Sequence, residues 1–199
     1  SGNHYSYPMS FKYKFQEWLL PEVASHSPQY FYTLTRGLAS KKLLRGLNKM
    51  RIVDATLFYH KDVWYLFFGV QDTAQFVLNL WISDDLLKSF KPHPNSPVCV
   101  SPTFARMAGK LVIKDNLVYR FGQNNEGQYG ESITILKVDK ISPKVYQEKP
   151  CGTVLIEGRK GPHTINFSPS HKKITVDYYL DKFSLFAGIR RIKARLAKF

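Results

Sequence analysis

The runs Val53-Asp-Ala-Thr-Leu-Phe58 and Val63-Trp-Tyr-Leu-Phe-Phe68 are apolar and are separated by a short turn at His60-Lys-Asp62. Two such runs around a polar turn indicate a pair of antiparallel strands, because β-branched and aromatic side chains favour the extended conformation. A small residue, Ala55, opens the first run. The hairpin therefore has a fixed order: small residue, apolar strand, polar turn, aromatic strand.

The same order occurs in four segments of the chain. Their opening residues, Pro8, Ala55, Ala108 and Pro162, lie 47, 53 and 54 residues apart. Repeats of roughly 40 to 50 residues suit a β-propeller blade of four short strands. Helical periodicity is absent until the final segment. We therefore predict an all-β, β-propeller-like domain with four blades over residues 1–180.

Further strands complete the second and third blades. Third strands are predicted at 76–82 and 133–138, and outer edge strands at 89–93 and 145–148, beside prolines that suit edges.

A β-sandwich is the alternative fold, but it does not predict a repeated order of elements. Few closed propellers have only four blades. Three arrangements remain open: a ring of four, a further blade before residue 1, or another chain covering the open edge.

Composition narrows the classes of partner. The net charge of +14, from 29 Lys and Arg against 15 Asp and Glu, attracts polyanions. No zinc-finger, RRM or KH signature accompanies this charge, so we expect no specific nucleic-acid partner. Cys99 and Cys151 lack the spacing of metal ligands and are too few for a disulfide scaffold. We expect no metal, no cofactor and a reducing, cytoplasmic compartment.

Several motifs resemble known families. Asp54-Ala-Thr-Leu-Phe58 with Trp64-Tyr-Leu-Phe-Phe68 is similar to the blade opening of five-bladed propeller glycosidases of the arabinanase and invertase type. Arg106-Met-Ala-Gly109, Tyr119-Arg-Phe-Gly-Gln123 and Gly161-Pro-His-Thr164 resemble the N-terminal propeller-like domain of plant glucosamine inositolphosphorylceramide transferases. Related bacterial glycan-synthesis proteins carry similar domains. The resemblance spans residues 4 to about 180 and rests on the shared order of short motifs.

The resemblance implies a five-bladed propeller whose first blade, with its Asp-Pro motif, is absent from this sequence. The glycosidases take a catalytic carboxylate from that blade, so the resemblance implies an incomplete hydrolytic set here. In the plant proteins a glycosyltransferase domain follows the propeller, which implies that domain, or the missing blade, as a partner. We predict a carbohydrate-associated module of glycan or glycolipid biosynthesis that binds a sugar or acceptor, or supports a glycosyltransferase.

Candidate binding residues follow from the fold, because the opening residues of the innermost strands line the mouth of a propeller channel. Asp54, Arg106 and His163 occupy that position in three repeats. Arginine forks onto carboxylate or phosphate oxygens, so we expect a carbohydrate or sugar-phosphate ligand. Gln123 and Tyr129 belong to a glycine-rich run at 122–130 that is able to hydrogen-bond or stack on a sugar; a plain polar hairpin is the alternative.

Candidate catalytic residues are the carboxyl groups Glu22, Asp54 and Glu131, because glycosidases require two of them. The alternative functions are therefore a glycoside hydrolase or glycosyltransferase, and a non-catalytic interaction scaffold. Structural interpretations remain open too. Asp54 could cap a turn, Arg106 could form an inter-blade salt bridge, and His163 could cap a strand.

Residues 181–199 differ from the rest of the chain. Apolar side chains recur there on one face of a helix, at Phe186, Ile189, Ile192, Leu196 and Phe199. Arg and Lys fill most of the remainder, so we predict a basic amphipathic helix. Through residues 183–199 it could lie on an anionic membrane surface, or pack on the propeller and leave its charges solvated.

Overall fold

The computed structural model describes residues 5–179, apart from 24–26, 36–37, 48, 169 and 171. All regular elements in this part are β-strands, which confirms the all-β prediction. Within the same residues, no helix is long and apolar enough to cross a membrane. The amphipathic helix predicted at 181–199 lies outside the described residues, and the domain boundary at 180 stays a prediction.

Four antiparallel sheets follow one another along the chain. The first blade contains β1 (Ser6–Tyr13), β2 (Gln16–Glu22), β3 (Tyr30–Thr35) and β4 (Leu38–Leu43). The second contains β5 (Ile52–His60), β6 (Val63–Val70) and β7 (Val77–Ser83), with β8 (Lys91–Pro92) and β9 (Cys99–Val100) both paired to β7. The third contains β10 (Val112–Lys114), β11 (Leu117–Asn124), β12 (Ser132–Ile141) and β13 (Tyr146–Val154). The fourth contains β14 (Ile165–Phe167) and β15 (Ile174–Val176).

The strand predictions are confirmed, with differences at the blade edges. The third strands predicted at 76–82 and 133–138 are β7 and β12. The edge strand predicted at 89–93 has only two residues, because β8 and β9 divide the outer edge of β7 between them. The edge strand predicted at 145–148 continues to Val154, with register irregularities where it pairs with β12.

Apolar cores lie between consecutive blades. The first and second blades share a core that includes Trp18, Phe31 and Phe68. The second and third share another, and a smaller core around Phe121 and Ile165 joins the third and fourth. Packing of each sheet on its neighbours along the chain distinguishes a propeller from a sandwich, which has one core between two sheets.

Two features of the backbone recur between blades. Each turn from the first to the second strand of the first three blades consists of two left-handed residues: 14–15, 61–62 and 115–116. Such turns match the twist of the strands that they join. In addition, β1 and β5 each begin with a one-residue bulge, at Tyr7 (φ 42°) and Asp54 (φ 50°). Bulges redirect side chains, and both of these direct one to the same cavity.

A buried ion pair stabilises the third blade. The Arg120 guanidinium, 0% exposed, donates two hydrogen bonds to the Glu148 carboxylate, at 2.7 and 2.6 Å. The Tyr146 hydroxyl donates to the same carboxylate at 2.6 Å, and its ring packs on Phe67 of the second blade. The pair therefore lies at the interface between the two blades.

We predict that Glu148→Ala lowers the free energy of unfolding by about 3–5 kcal/mol, because it leaves the Arg120 charge buried without its partner. Urea unfolding measures this value. Asp139→Ala is the matched control, since Asp139 pairs with Lys137 and Lys149 near the surface, where removing a pair costs about 0–1 kcal/mol. Equal losses in the two variants would contradict the assignment.

Gly109 sets the distance between the third and fourth blades. Its φ of 141° is unfavourable for residues with a side chain, and an added Cβ would lie 1.9 Å from the carbonyl oxygen of Ile165. The adjacent Ala108 carbonyl accepts a 2.7 Å hydrogen bond from the Ile165 N–H. The absence of a side chain therefore allows the segment before β10 to meet β14.

Gly109→Ala is expected to lower the free energy of unfolding by more than about 2 kcal/mol, since the new methyl group separates the blades. Gly152→Ala is its control, because a Cβ there meets nothing closer than 3.5 Å. Thermal unfolding of the two variants tests the difference. If Gly109→Ala is no less stable than Gly152→Ala, the close approach is not required.

Candidate functional site

One cavity of about 520 Å³ is lined by all four blades. The first contributes Glu22 and the second Asp54. Arg106 and His163 come from the third and fourth. The three residues predicted at the channel mouth, Asp54, Arg106 and His163, therefore line one cavity, and the candidate carboxyl group Glu22 lines it too. Tyr129, predicted to bind a ligand, also lines the cavity.

Asp54 is the centre of this arrangement. It is 4% exposed, and its left-handed backbone at the bulge turns its N–H toward Glu22, whose Oε2 accepts at 2.7 Å. Its own Oδ2 accepts from Arg106 Nε at 2.5 Å and from Gln123 Nε2 at 3.3 Å. The Ser6 hydroxyl donates to the other Glu22 oxygen at 3.0 Å. One buried residue, Asp54, thus joins the first three blades through its backbone N–H and its carboxyl group.

The surroundings of Asp54 favour its neutral form. Burial raises the pKa of Asp54 to about 6, although the Arg106 charge and hydrogen bond oppose the shift. The neighbouring Glu22 carboxyl group raises it further, by repulsion and by a side-chain hydrogen bond. Asp54 therefore changes its protonation state close to neutral pH.

Arg106 forms an inter-blade salt bridge with Asp54. This was one of the two roles considered for it, and ligand binding was the other. The bond to Asp54 uses Nε, and no hydrogen bond from Nη1 or Nη2 is made to any described residue. The guanidinium carbon lies 5.6 Å from the centre of the Tyr129 ring. Because only Nε is engaged, two terminal nitrogens remain as donors beside the cavity.

His163 pairs with Asp177, which sequence reasoning missed. Its Nδ1 lies 2.7 Å from Asp177 Oδ2 and 2.9 Å from the Gly161 carbonyl oxygen. Both neighbours are acceptors, so Nδ1 carries the proton and Nε2 of the neutral ring is the acceptor. Asp177 Oδ1 also accepts from the backbone N–H groups of His163 and Thr164, at 3.0 and 2.7 Å. The strand cap in this blade is therefore Asp177.

Gln123 and Glu131 do not line the cavity. Gln123 is buried behind Asp54, where its amide also donates to the Met107 carbonyl at 2.7 Å, so it supports the site from within the blade. Glu131 is exposed and accepts from the Gly127 N–H at 3.0 Å. It stabilises its own glycine-rich loop, and this local role separates it from the other carboxyl groups.

Tyr7 is the second residue that sequence reasoning missed. It occupies the bulge of β1 as Asp54 occupies that of β5, and its hydroxyl lies 3.0 Å from the Thr56 hydroxyl. Alignment of the repeats carried the signal, because Tyr7 precedes Pro8 as Asp54 precedes Ala55. Burial raises the pKa of Tyr7 well above its usual value, so its hydroxyl stays protonated.

Within the described part of the chain, no three His, Cys, Asp or Glu side chains are grouped so that they could hold a metal ion. Cys99 is buried and Cys151 is exposed, and both are free thiols. The side chains that line the cavity offer hydrogen-bond donors, hydrogen-bond acceptors and an aromatic ring.

The successive antiparallel blades around one cavity define a β-propeller fold. The fold is shared with an exo-β-1,3-galactanase from Clostridium thermocellum, with a TM-score of 0.58 and 10% identity over 92% of this chain and 47% of that one. A family model described as "Glucosamine inositolphosphorylceramide transferase 1, N-terminal" matches residues 1–181. The chain belongs to this family.

Curated relatives agree with the family assignment. Glucosamine inositolphosphorylceramide transferase 1 of Oryza sativa subsp. japonica is 28% identical over 171 residues, which are 82% of this chain and 23% of the relative. The Arabidopsis thaliana protein of the same name is 28% identical over 176 residues, or 84% of this chain and 23% of the relative. The chain thus spans about a quarter of the length of these relatives.

We predict that Asp54 makes stability depend on pH between about 4 and 6. Its pKa is higher in the folded chain than in the unfolded one, so the folded state binds more protons in this range and loses stability as pH rises. The free energy of unfolding of the wild type minus that of Asp54→Asn should fall by up to about 3 kcal/mol from pH 4 to 7. Urea unfolding across this range measures the difference, and parallel curves would contradict the raised pKa.

Proposed function

We propose that the chain is a carbohydrate-binding propeller module that acts in glycan or glycolipid biosynthesis and holds a sugar or acceptor for a glycosyltransferase. The observation that carries the proposal is the convergence of Glu22, Asp54, Arg106 and His163 on one cavity of about 520 Å³. This volume is within the range of small-molecule sites. Membership of a family named for a glucosamine inositolphosphorylceramide transferase supports the biosynthetic setting. A cytoplasmic location at a membrane surface is part of the same proposal.

The polar groups of the cavity suit a ligand rich in hydroxyl groups. Glu22 and His163 Nε2 are acceptors, whereas the terminal nitrogens of Arg106 are donors. The half-exposed Tyr129 ring lies between Arg106 and His163, whose ring centre is 5.0 Å away. A sugar needs both donors and acceptors around its ring, and a flat apolar surface for its carbon-bound hydrogens. The cavity offers all three.

Arg106 extends the expected ligands to anionic sugars. Its Nη1 and Nη2 are not engaged by described residues, and two parallel N–H groups match the oxygens of a phosphate or carboxylate. Asp54 adds a response to pH, because its carboxyl group donates a hydrogen bond below about pH 6 and accepts one above. A phosphorylated or acidic sugar is therefore the ligand class that we propose.

The arrangement of carboxyl groups favours binding over glycoside hydrolysis. Glycosidases hold two carboxyl groups ~5–5.5 Å or ~6.5–9.5 Å apart, on either side of the bond that they cleave. Glu22 instead lies beside Asp54, whose backbone N–H donates to Glu22 Oε2 at 2.7 Å, and Glu131 is exposed on its own loop. The polar lining likewise argues against a scaffold whose channel is filled with apolar side chains.

We expect the purified chain to bind members of a glycan array that includes phosphorylated and acidic sugars. Asp54→Asn and Arg106→Gln should each weaken binding by about tenfold or more, since each removes hydrogen bonds to a charged group. Glu131→Gln is the control, because this carboxylate lies outside the cavity and its loss should leave affinity unchanged. Circular dichroism and thermal unfolding confirm that each variant is folded.

Two results would contradict the proposal. If no glycan binds the wild type, the cavity is not a carbohydrate site. If Glu131→Gln weakens binding as much as the cavity variants do, the ligand lies on the exposed loop. Turnover of a bound glycan that disappears in folded Asp54→Asn would instead favour the enzymatic alternative.

A further inference from the structure

A second, smaller pocket adjoins the cavity. Its volume is about 180 Å³, and Tyr129 lines both spaces. This volume is below the range of sites that hold a whole small molecule. The pocket therefore suits one unit of a longer ligand, the remainder of which lies in the cavity. Its lining residues are all uncharged: Gln75, Phe76, Pro102, Asn125 and Tyr129.

Loops of two neighbouring blades form this pocket. Residues 71–76 connect β6 to β7 in the second blade, and residues 125–131 connect β11 to β12 in the third. Asn125 joins the two loops, because its Nδ2 donates to Gln75 Oε1 at 2.9 Å. Its backbone N–H also donates to the Pro102 carbonyl at 3.2 Å. Contacts between the blades therefore hold the walls of the pocket in place.

Hydrogen bonds fix the direction of both amide side chains. The Gly130 N–H donates to Asn125 at 3.0 Å, so the atom that accepts is Oδ1 and the other end of this amide is Nδ2. Nδ2 is a donor, and the acceptor that it meets is Gln75 Oε1. Gln75 Nε2 makes no hydrogen bond to any described residue. It is therefore available to donate to a hydroxyl group in the pocket.

Phe76 supplies an exposed ring beside this donor. It is 54% exposed and immediately precedes β7, whose Leu78 belongs to the core shared with the third blade. The Phe76 carbonyl accepts from the Ser101 N–H at 2.8 Å, so the backbone that carries the ring is fixed. An exposed ring gains free energy when a ligand covers it. Because the backbone is already ordered, binding there costs little additional entropy.

We propose that the pocket is a second sugar subsite, so that the chain binds an oligosaccharide of at least two units. An anionic unit occupies the cavity beside Arg106, and a neutral unit occupies the uncharged pocket. The neutral unit places its carbon-bound hydrogens on the Phe76 ring and a hydroxyl group on Gln75 Nε2, while Tyr129 contacts both units. This subsite rests on the proposed function, because it holds the unit that follows the one in the cavity.

Isothermal titration calorimetry of the full chain tests the subsite. The probes are hexose 6-phosphates and hexuronic acids, each as the monosaccharide and joined in either direction to one or two neutral hexoses. We expect the longer forms to bind about tenfold more tightly than the monosaccharide, which corresponds to ~1.4 kcal/mol from covering the ring and adding a hydrogen bond. Phe76→Ala should remove this difference.

Phe15→Ala is the matched control. Phe15 is likewise an exposed phenylalanine in a connecting segment, but it lies in the turn that follows β1. This strand begins beside the cavity and runs away from it, so Phe15 is at the opposite end from the pocket. The variant should keep the preference of the wild type for the longer forms.

Two further variants separate stacking on a ring from general apolar contact. Phe76→Tyr keeps a flat ring and should retain tight binding of the longer forms. Phe76→Leu keeps an apolar side chain without a ring, and it should bind like Phe76→Ala. Circular dichroism and thermal unfolding verify that all four variants are folded.

Three results would overturn the subsite. If the wild type binds the longer forms no more tightly than the monosaccharide, the ligand ends within the cavity, and the proposed function stands without a second subsite. If Phe76→Ala keeps the preference, or if Phe15→Ala loses it equally, the Phe76 ring does not contact the sugar. If no probe and no glycan on the array binds at all, the proposed function fails together with the subsite.

Discussion

The buried carboxyl group of Asp54 is the contact on which the geometry of the site depends. Glu22, Arg106 and Gln123 all bond to this one residue, from the first and third blades. A carboxyl group removed from water needs such partners, since an unpaired one is costly. The blades must therefore meet at fixed distances for Asp54 to be satisfied. The same contacts that satisfy Asp54 therefore also position the blades around the cavity.

Local backbone geometry brings side chains from equivalent positions of the repeats to one cavity, although the side chains themselves differ. The bulges of β1 and β5 present Tyr7 and Asp54 to the same cavity, and Gly109 lets the fourth blade approach the third. The repeat supplies equivalent positions, whereas the identity of each residue supplies the chemistry. A series of similar sheets can in this way hold an acid, a base and a phenol beside one another.

Sequence reasoning predicted the blades and most of the cavity, because both follow from a repeated pattern. Asp54, Arg106 and His163 could be placed since each stands at the opening of a repeat. Glu131 could not be placed in this way, because the conformation of its own loop determines where its carboxylate lies. Asp177 was missed for a related reason: its role depends on how a short strand pairs with its neighbour, which no motif records. A repeated local pattern can be recognised in the sequence, whereas a contact between distant loops cannot.

The three cores between consecutive blades have a consequence for how the chain acquires its structure. Each core joins two blades that are consecutive along the chain, so the sheets can dock one after another. The cavity is different, since it needs residues from all four blades, with Asp54 from the second, Arg106 from the third and His163 from the fourth. The site is therefore complete only when the fourth blade has docked. A chain interrupted before its fourth blade would be compact, would bury two of the three cores, and would have no complete cavity.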